Sequence, residues 1–547
     1  MSFERRHARP QAGIGKTRVG EYLMGRFLTE RVVVCGDLIA CTPVHIGGGN
    51  SELFADMLVA RNGENVAYIP GTSLAGPMRA WWDRAFPASL DRVWGAAEQE
   101  GRSDAGSASM LRVEDAHVCG TESSEFRDSV GIDRYSGSAA DGIKFDREVL
   151  PKGTVFNFSL VLEIPTNSES PNQVKSEFAA MLAALEAGQI RFGGAKTRGL
   201  GKLELKNAKA STCRMDAGDA MLEALLNPPV TRIEAFKTLV ANPAKTQSRR
   251  IVDVEIHWRS VRPLMNKDAR QGFIIDAIPL TTGVGDEVEL VLAGAGIKGV
   301  QRAHSERIIR TLMKKGPGLP EGDEEKQAFN NSLVPDEIIE WLYGAKGQVE
   351  ETKKTGMGAV FVDDCYPEND PIPRELINQL LTNTPENDRD KTRDVQRLLS
   401  DCSATQRFYP SQHNAIDRWL GGAADSALFS VLEPGLTKGV FTIQLDLDRL
   451  APGQSIAEKR ATLALFLLTL RDFKQGVLPV GFGVNRGLGA IDVTKIDLAL
   501  SFDDKLKDEG WPDLGGELSE LDNVLDDLKT DWETYAKKLL ACEGVAT

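Results

Sequence analysis

The sequence predicts an α+β protein made of two tandem copies of one module. Two observations carry this expectation. Gly188–Lys202 packs five glycines and four cations into fifteen residues, and a second glycine-rich stretch lies far downstream at Val480–Gly489. Both carry an aromatic–glycine pair followed by Arg-Gly-Leu-Gly, ending at Gly201 and Gly489. The second observation is an ordered set of matches. Thr42-Pro43-Val44 answers to Arg262-Pro263-Leu264, and Asp56 to Asp276, at an offset of 220 (263 − 43). Gly71–Arg79 answers to Gly294–Arg302 at 223, Ile132–Asp141 to Ile416–Asp425 at 284, and Arg198 to Arg486 at 288. Order is kept and the offset only grows, which is the signature of an internal duplication. The second copy therefore carries about 60 extra residues (284 − 223 = 61), mostly between Arg302 and Cys402.

The elements follow in order. Residues 1–30 form a basic lead-in (Arg5, Arg6, His7, Arg9). Its Gly15-Lys16-Thr17 is no P-loop, because Pro10 stands where the first glycine is required. Arg31–Thr42 is β-branched and apolar, a strand. His45, Gly47, Gly48 and Gly49 then form a loop able to approach a ligand's backbone. Gly71-Thr72-Ser73 opens a helix through Leu74, Met78, Trp81 and Trp82, and such an N-terminus suits phosphate. Residues 100–145 read as loop-rich, Val155–Ile164 as a strand, and Gln173–Ala187 as an amphipathic helix. The first module spans 31–207. A polar, partly helical linker covers 208–248. The second module covers 249–500, with its insertion at about 303–402, and an acidic helical tail occupies 501–547.

The net charge of −14 argues against indiscriminate nucleic-acid binding, but the cations cluster. They group at Arg5–Arg9, Lys196–Lys202, Lys245–Arg250 and Lys353-Lys354, so a local basic groove is compatible with an acidic chain. The seven cysteines include no Cys-x-x-Cys pair, which excludes zinc ribbons and redox motifs of that kind. No apolar run approaches the roughly 20 residues that cross a bilayer, and a cytoplasmic protein is expected.

Three motifs in the first module carry a resemblance: Pro43-Val44-His45-Ile46-Gly47-Gly48-Gly49, Ile69-Pro70-Gly71-Thr72-Ser73 through Arg79, and Phe192-Gly193-Gly194 through Arg198-Gly199-Leu200-Gly201. In this combination the chain resembles the RAMP superfamily, and more closely the backbone subunits of type III CRISPR–Cas effector complexes. Two such modules in one chain look like the fused double-backbone form of type III-D systems. The resemblance implies two modified RRM, or ferredoxin-like, palms with protruding β-hairpin thumbs, drawn from around Gly131–Lys152 and Ala415–Lys438. It implies partners: a CRISPR guide RNA, its complementary target RNA, other RAMP subunits and a large signalling or small subunit, with no membrane.

The RNA contacts it implies are His45, Gly47, Gly48, Gly49, Thr72, Ser73, Arg79, Arg134, Lys196 and Arg198 in the first module. In the second they are Lys267, Arg270, Lys298, Arg302, Arg418 and Arg486. Target-cleaving relatives use one loop aspartate and a divalent metal. Asp56, five residues before Arg61 and between His45 and Gly71, fits that position, and Asp276 matches it by repeat. Both are expected to be catalytic and to hold Mg²⁺ or Mn²⁺, hard cations that take carboxylate oxygens. The second loop, Met265–Gly272, lacks the histidine and triple glycine, so cleavage there is open. Two other readings stand: a non-catalytic guide-RNA scaffold, and a guide-precursor processing endonuclease. The chain shows no paired-histidine or histidine–tyrosine set for the latter.

Overall fold

A computed structural model describes residues 27–48, 56–96, 106–120, 123–216, 218–226, 229–246, 249–314, 316, 337–345, 356–384, 391–401, 407–500, 510–514, 516–517 and 521–542. The basic lead-in up to residue 26, Gly49, Lys353 and Lys354 lie outside them.

The first module runs β1 (Leu28–Ala40), α1 (Gly71–Ala85), β2 (Leu111–Val113), β3 (Glu125–Ile132), β4 (Ala139–Val149), β5 (Val155–Pro165), α2 (Pro171–Glu186) and β6 (Leu203–Arg214). Its sheet has the order β2-β5-β1-β6, with β1 antiparallel to both neighbours. With the β3–β4 hairpin set aside, this is a βαββαβ unit in ferredoxin-like order. β1 alternates as a one-faced strand must: Val32, Val34, Leu38 and Ala40 are buried, and the residues between them are mostly half-exposed. α2 lays Val174, Phe178, Met181, Leu182 and Leu185 on the same core.

The second module repeats the plan. It runs β7 (Ile251–Ser260), α4 (Gly294–Leu312), β8 (Val360–Asp363), β9 (Phe408–Ile416), β10 (Ala423–Pro434), β11 (Lys438–Asp446), α5 (Ile456–Lys474) and β12 (Ile491–Leu500). The sheet order β12-β7-β11-β8 is the first palm's order again. Between the modules, β6 continues past the expected boundary to Arg214. α3 (Ile233–Val240) then folds back to bury Phe236 in the first core.

Both thumbs begin earlier than their sequences announce, at Glu125 and Phe408. The stretch that reads as loop is the β3–β4 hairpin. Standing off the palm, it has no continuous apolar face to produce the alternation a strand is recognised by. The insertion also contains more palm than expected, because β8 is a palm strand. Helices Arg374–Thr382 and Lys391–Asp401 build a satellite core with Ile274, Ile278, Phe408 and Leu432 at the base of the second thumb. The acidic tail is not merely solvated. α6 (Leu521–Cys542) buries Leu528 and Tyr535 against the second core, and its Asp531 pairs with Arg460 of α5 at 2.6 Å.

The palms are joined side by side. Arg198-Gly199, from the first glycine loop, adds as a short parallel strand to the free edge of β8. From the first thumb, Arg134 reaches Glu306 on α4 at 2.7 Å, and Arg127 lies 3.8 Å from the buried Asp364.

Candidate nucleic-acid interface

Each glycine loop is clasped by the loop that follows the first palm strand. Gly194 N–H donates to the His45 carbonyl (2.8 Å) and Gly201 N–H to that of Pro43 (2.9 Å). In the second module Phe482 N–H donates to Met265 (2.7 Å) and Gly489 N–H to Pro263 (2.9 Å). Gly201 has φ +83°, and a Cβ there would sit 2.0 Å from the Phe192 carbonyl oxygen; Gly489 repeats this at 2.1 Å from Val480. The close approach that demands these glycines is made by the protein's own main chain.

The expected aspartates lie at the thumb bases in matching geometry. Asp146 N–H donates to Asp56 Oδ2 (3.1 Å), and Asp56 N–H donates to Asp146 Oδ1 (3.3 Å). In the second module the Ser430 N–H and hydroxyl both donate to Asp276 Oδ2, at 2.7 and 2.9 Å. The bridges beside them match as well: Met57 to Arg147 and Ala277 to Val431, both parallel. The offsets of 220 and 284 thus recur in three dimensions. Both aspartates are exposed, and each engages its thumb through one oxygen.

Asp146 was not foreseen. It puts a second carboxylate beside Asp56, where the second module has Ser430. Burial pushes the Asp146 carboxyl up, but hydrogen bonds with the Asp56 N–H and side chain, and least of all the Lys144 charge, outweigh it and hold it below its ordinary value. Two carboxylates with hard oxygens suit Mg²⁺ or Mn²⁺ better than the carboxylate–hydroxyl pair around Asp276. Arg147, also unforeseen, is buried beside them. It donates to Met57 Sδ (3.2 Å) and meets no carboxylate among the described residues. Burial and the Arg198 charge lower its pKa. The spacing of a hairpin that reads as loop gives no signal for either residue; only the 284 offset, applied at Ser430, points to Asp146.

His45 is buried, and its Nδ1–H donates to the Glu148 carbonyl (2.7 Å), bracing loop against thumb. Burial, and to a lesser degree Arg147, lower its pKa, with the Glu148 carbonyl opposing them. Arg61 pairs with Glu148 at 2.7 Å in the same brace. Gly47 and Gly48 are exposed and pair with residues 58 and 59.

The cations divide into two groups. Lys196, Arg198, Lys267, Arg418 and Arg486 keep side chains with no ion-pair partner among the described residues. Arg486 lies over the rings of Phe429 (5.1 Å) and Phe482 (4.9 Å). Arg79 is 45% exposed and only 3.9 Å from Asp91. The other four are already engaged within the protein, Arg270 while still exposed. Arg134 and Arg302 both pair with the buried Glu306, and Arg270 pairs with Asp268 (2.9 Å). Lys298 is buried, and its Nζ donates to the Val360 carbonyl (2.7 Å). Acceptors for Arg134 and Lys298 come from distant parts of the chain, so their spacing could not reveal the pairing, whereas Arg302 meets Glu306 at the i,i+4 spacing of one helix. The helix starts are occupied too. Asp115 accepts from Gly71 N–H (2.7 Å), and Asp364 from Gly294 N–H (2.8 Å). A carboxylate therefore fills the seat expected for phosphate next to Thr72 and Ser73.

A profile of the RAMP superfamily matches residues 37–204, from within β1 to the start of β6. No curated protein matches the chain. Among the described residues no helix is long and apolar enough to cross a membrane.

Proposed function

We propose, from a RAMP superfamily domain over residues 37–204, that the chain is a guide-RNA-binding backbone subunit of a type III CRISPR effector complex that cleaves complementary target RNA. The fused double-backbone form of type III-D is the closest description of its two palms. The observation that carries the reading is the repeated aspartate at the base of each thumb. Asp56 and Asp276 hang from equivalent thumb residues, 146 and 430, with Arg147 next to the first of these in the chain, Arg198 near enough to Arg147 to lower its pKa, and Arg486 in the second glycine loop.

In this reading the free oxygens of Asp56 and Asp146 hold a divalent metal, and Asp276 holds one more weakly. The metal, when bound, offsets negative charge developing at the scissile phosphate. Arg147 and Arg198 position the flanking phosphates, and the thumb bends the strand so that attack is in line. Partners are the guide and target RNAs, neighbouring RAMP subunits and the large signalling or small subunit. The first thumb is already docked on the second palm. The second leaves Trp419 93% and Leu420 78% exposed, as a thumb awaiting a neighbouring subunit would.

The test is cleavage of guide-complementary RNA by assembled complex with Mg²⁺. Asp56→Ala should abolish one cut and Asp276→Ala weaken or abolish another. Intact cutting in both single variants and the double variant would leave the scaffold reading, which the carboxylate–hydroxyl pair at Asp276 favours for the second module.

A further inference from the structure

A cleft of about 430 Å³ lies between the palms, against the second half of α1 and the turn after α2. None of Asp56, Asp146, His45 or Arg147 lines it. Six cations do: Arg84, Arg191, Lys196 and Lys202 from the first palm, Arg249 and Arg449 from the second. Three are partnered. Arg191 pairs with Asp363 at 2.6 Å, and Arg249 and Arg449 share Asp446. Arg84 and Lys196 have no ion-pair partner among the described residues, and Asp253 is the one carboxylate in the described lining. Its Oδ1 is taken by Gln444 at 2.8 Å.

Burial and then Arg249 and Arg449 pull Arg84 down to about 10. Burial, Arg84 and Arg449 lower Lys196 as well. Cations crowded in this way raise the free energy of the folded chain, and a bound anion relieves it. Behind them stand Trp81, Ile190 and Phe361, an apolar wall. The volume lies within the range of small-ligand sites, which combine such walls with a few convergent polar groups.

We propose that this cleft binds a phosphate-bearing ligand of nucleotide size, with Arg84 and Lys196 as its main anion contacts and the Trp81–Phe361 wall against the rest. The ligand is either a free nucleotide or one nucleotide of an RNA strand. Because its cations come from both palms, an occupant ties the two modules together. The site stands apart from the cleavage reading and does not need it.

The test is calorimetric titration of the full-length chain at about 150 mM salt, where loose surface attraction is screened. The probes are ATP, inorganic tripolyphosphate and a short single-stranded RNA. The expected result is saturable binding, weakened about tenfold or more by Arg84→Gln with Lys196→Gln, with the ligand-free variant unfolding at no lower a temperature than the parent. Loss of ATP or tripolyphosphate binding in that variant identifies a free phosphate ligand, and loss of RNA binding alone identifies a strand. The proposal is overturned if ATP and tripolyphosphate do not bind and RNA binds the variant as tightly as the parent, or if every probe that binds does so equally in both.

Discussion

At the residue scale, Asp146 separates the two thumb bases. Asp146→Asn keeps an oxygen to accept the Asp56 N–H but removes a carboxylate from the first site. The expected result is weaker Mn²⁺ binding, by about tenfold, read from water-proton relaxation, and a slower first cut with the second unaffected. Ser430→Asp is the converse and should strengthen the second site. Asp364 is the other residue whose charge matters. Burial lifts its carboxyl from 3.8 to about 6, against the opposing pull of Arg127 and the Gly294 N–H. The folded state therefore holds its proton more tightly than the unfolded chain, and this group's contribution to stability falls as pH rises from about 4 to 6. Asp364→Asn keeps the cap on Gly294 and removes that dependence. The variant should gain on the parent by an amount growing across that interval toward roughly 2–3 kcal/mol, followed by urea unfolding at stepped pH. A gain that stays flat with pH would mean that Asp364 ionises as it does in the unfolded chain.

At the scale of elements, the two glycine loops offer a controlled comparison. Gly199 has φ +95°, and a Cβ there would lie 2.0 Å from Asp364 Oδ1. Its counterpart Gly487 has φ +83° with open space around it. Alanine at 487 should cost about 1 kcal/mol for backbone conformation alone. Alanine at 199 should cost at least about 1 kcal/mol more, because it also separates the short strand from β8. Equal costs in thermal unfolding would show that the junction between the palms contributes little. The tail makes a similar point: truncation before Leu521 uncovers α5 where Leu528 and Tyr535 pack, and should lower the unfolding temperature markedly.

At the scale of the molecule, the duplication was legible because it left marks that survive divergence. Pro43 and Pro263, Asp56 and Asp276, and Arg198 and Arg486 keep their order at offsets of 220, 220 and 288, and each pair occupies equivalent places in the fold. The palm strands were legible through a β-branched apolar run in β1 and alternation in β5. The thumbs were not, since in Glu125–Ile132 the face that carries Phe126, Val130 and Ile132 is broken by Asp128 and left partly exposed. Nor was the fate of the cations. Glu306 gathers Arg134 from 172 residues away, and no local spacing contains that information. β8, four residues long, was lost within the insertion for want of a pattern long enough to read.

Mass-spectrometric mapping of ultraviolet cross-links between the complex and its guide RNA tests most directly whether both palms cradle one strand. Cross-linked peptides should come in two matching sets, one holding Arg147 or Arg198 and the other Phe429 or Arg486. Cross-links confined to one palm, or centred on α6, would contradict a tandem RNA-binding pair.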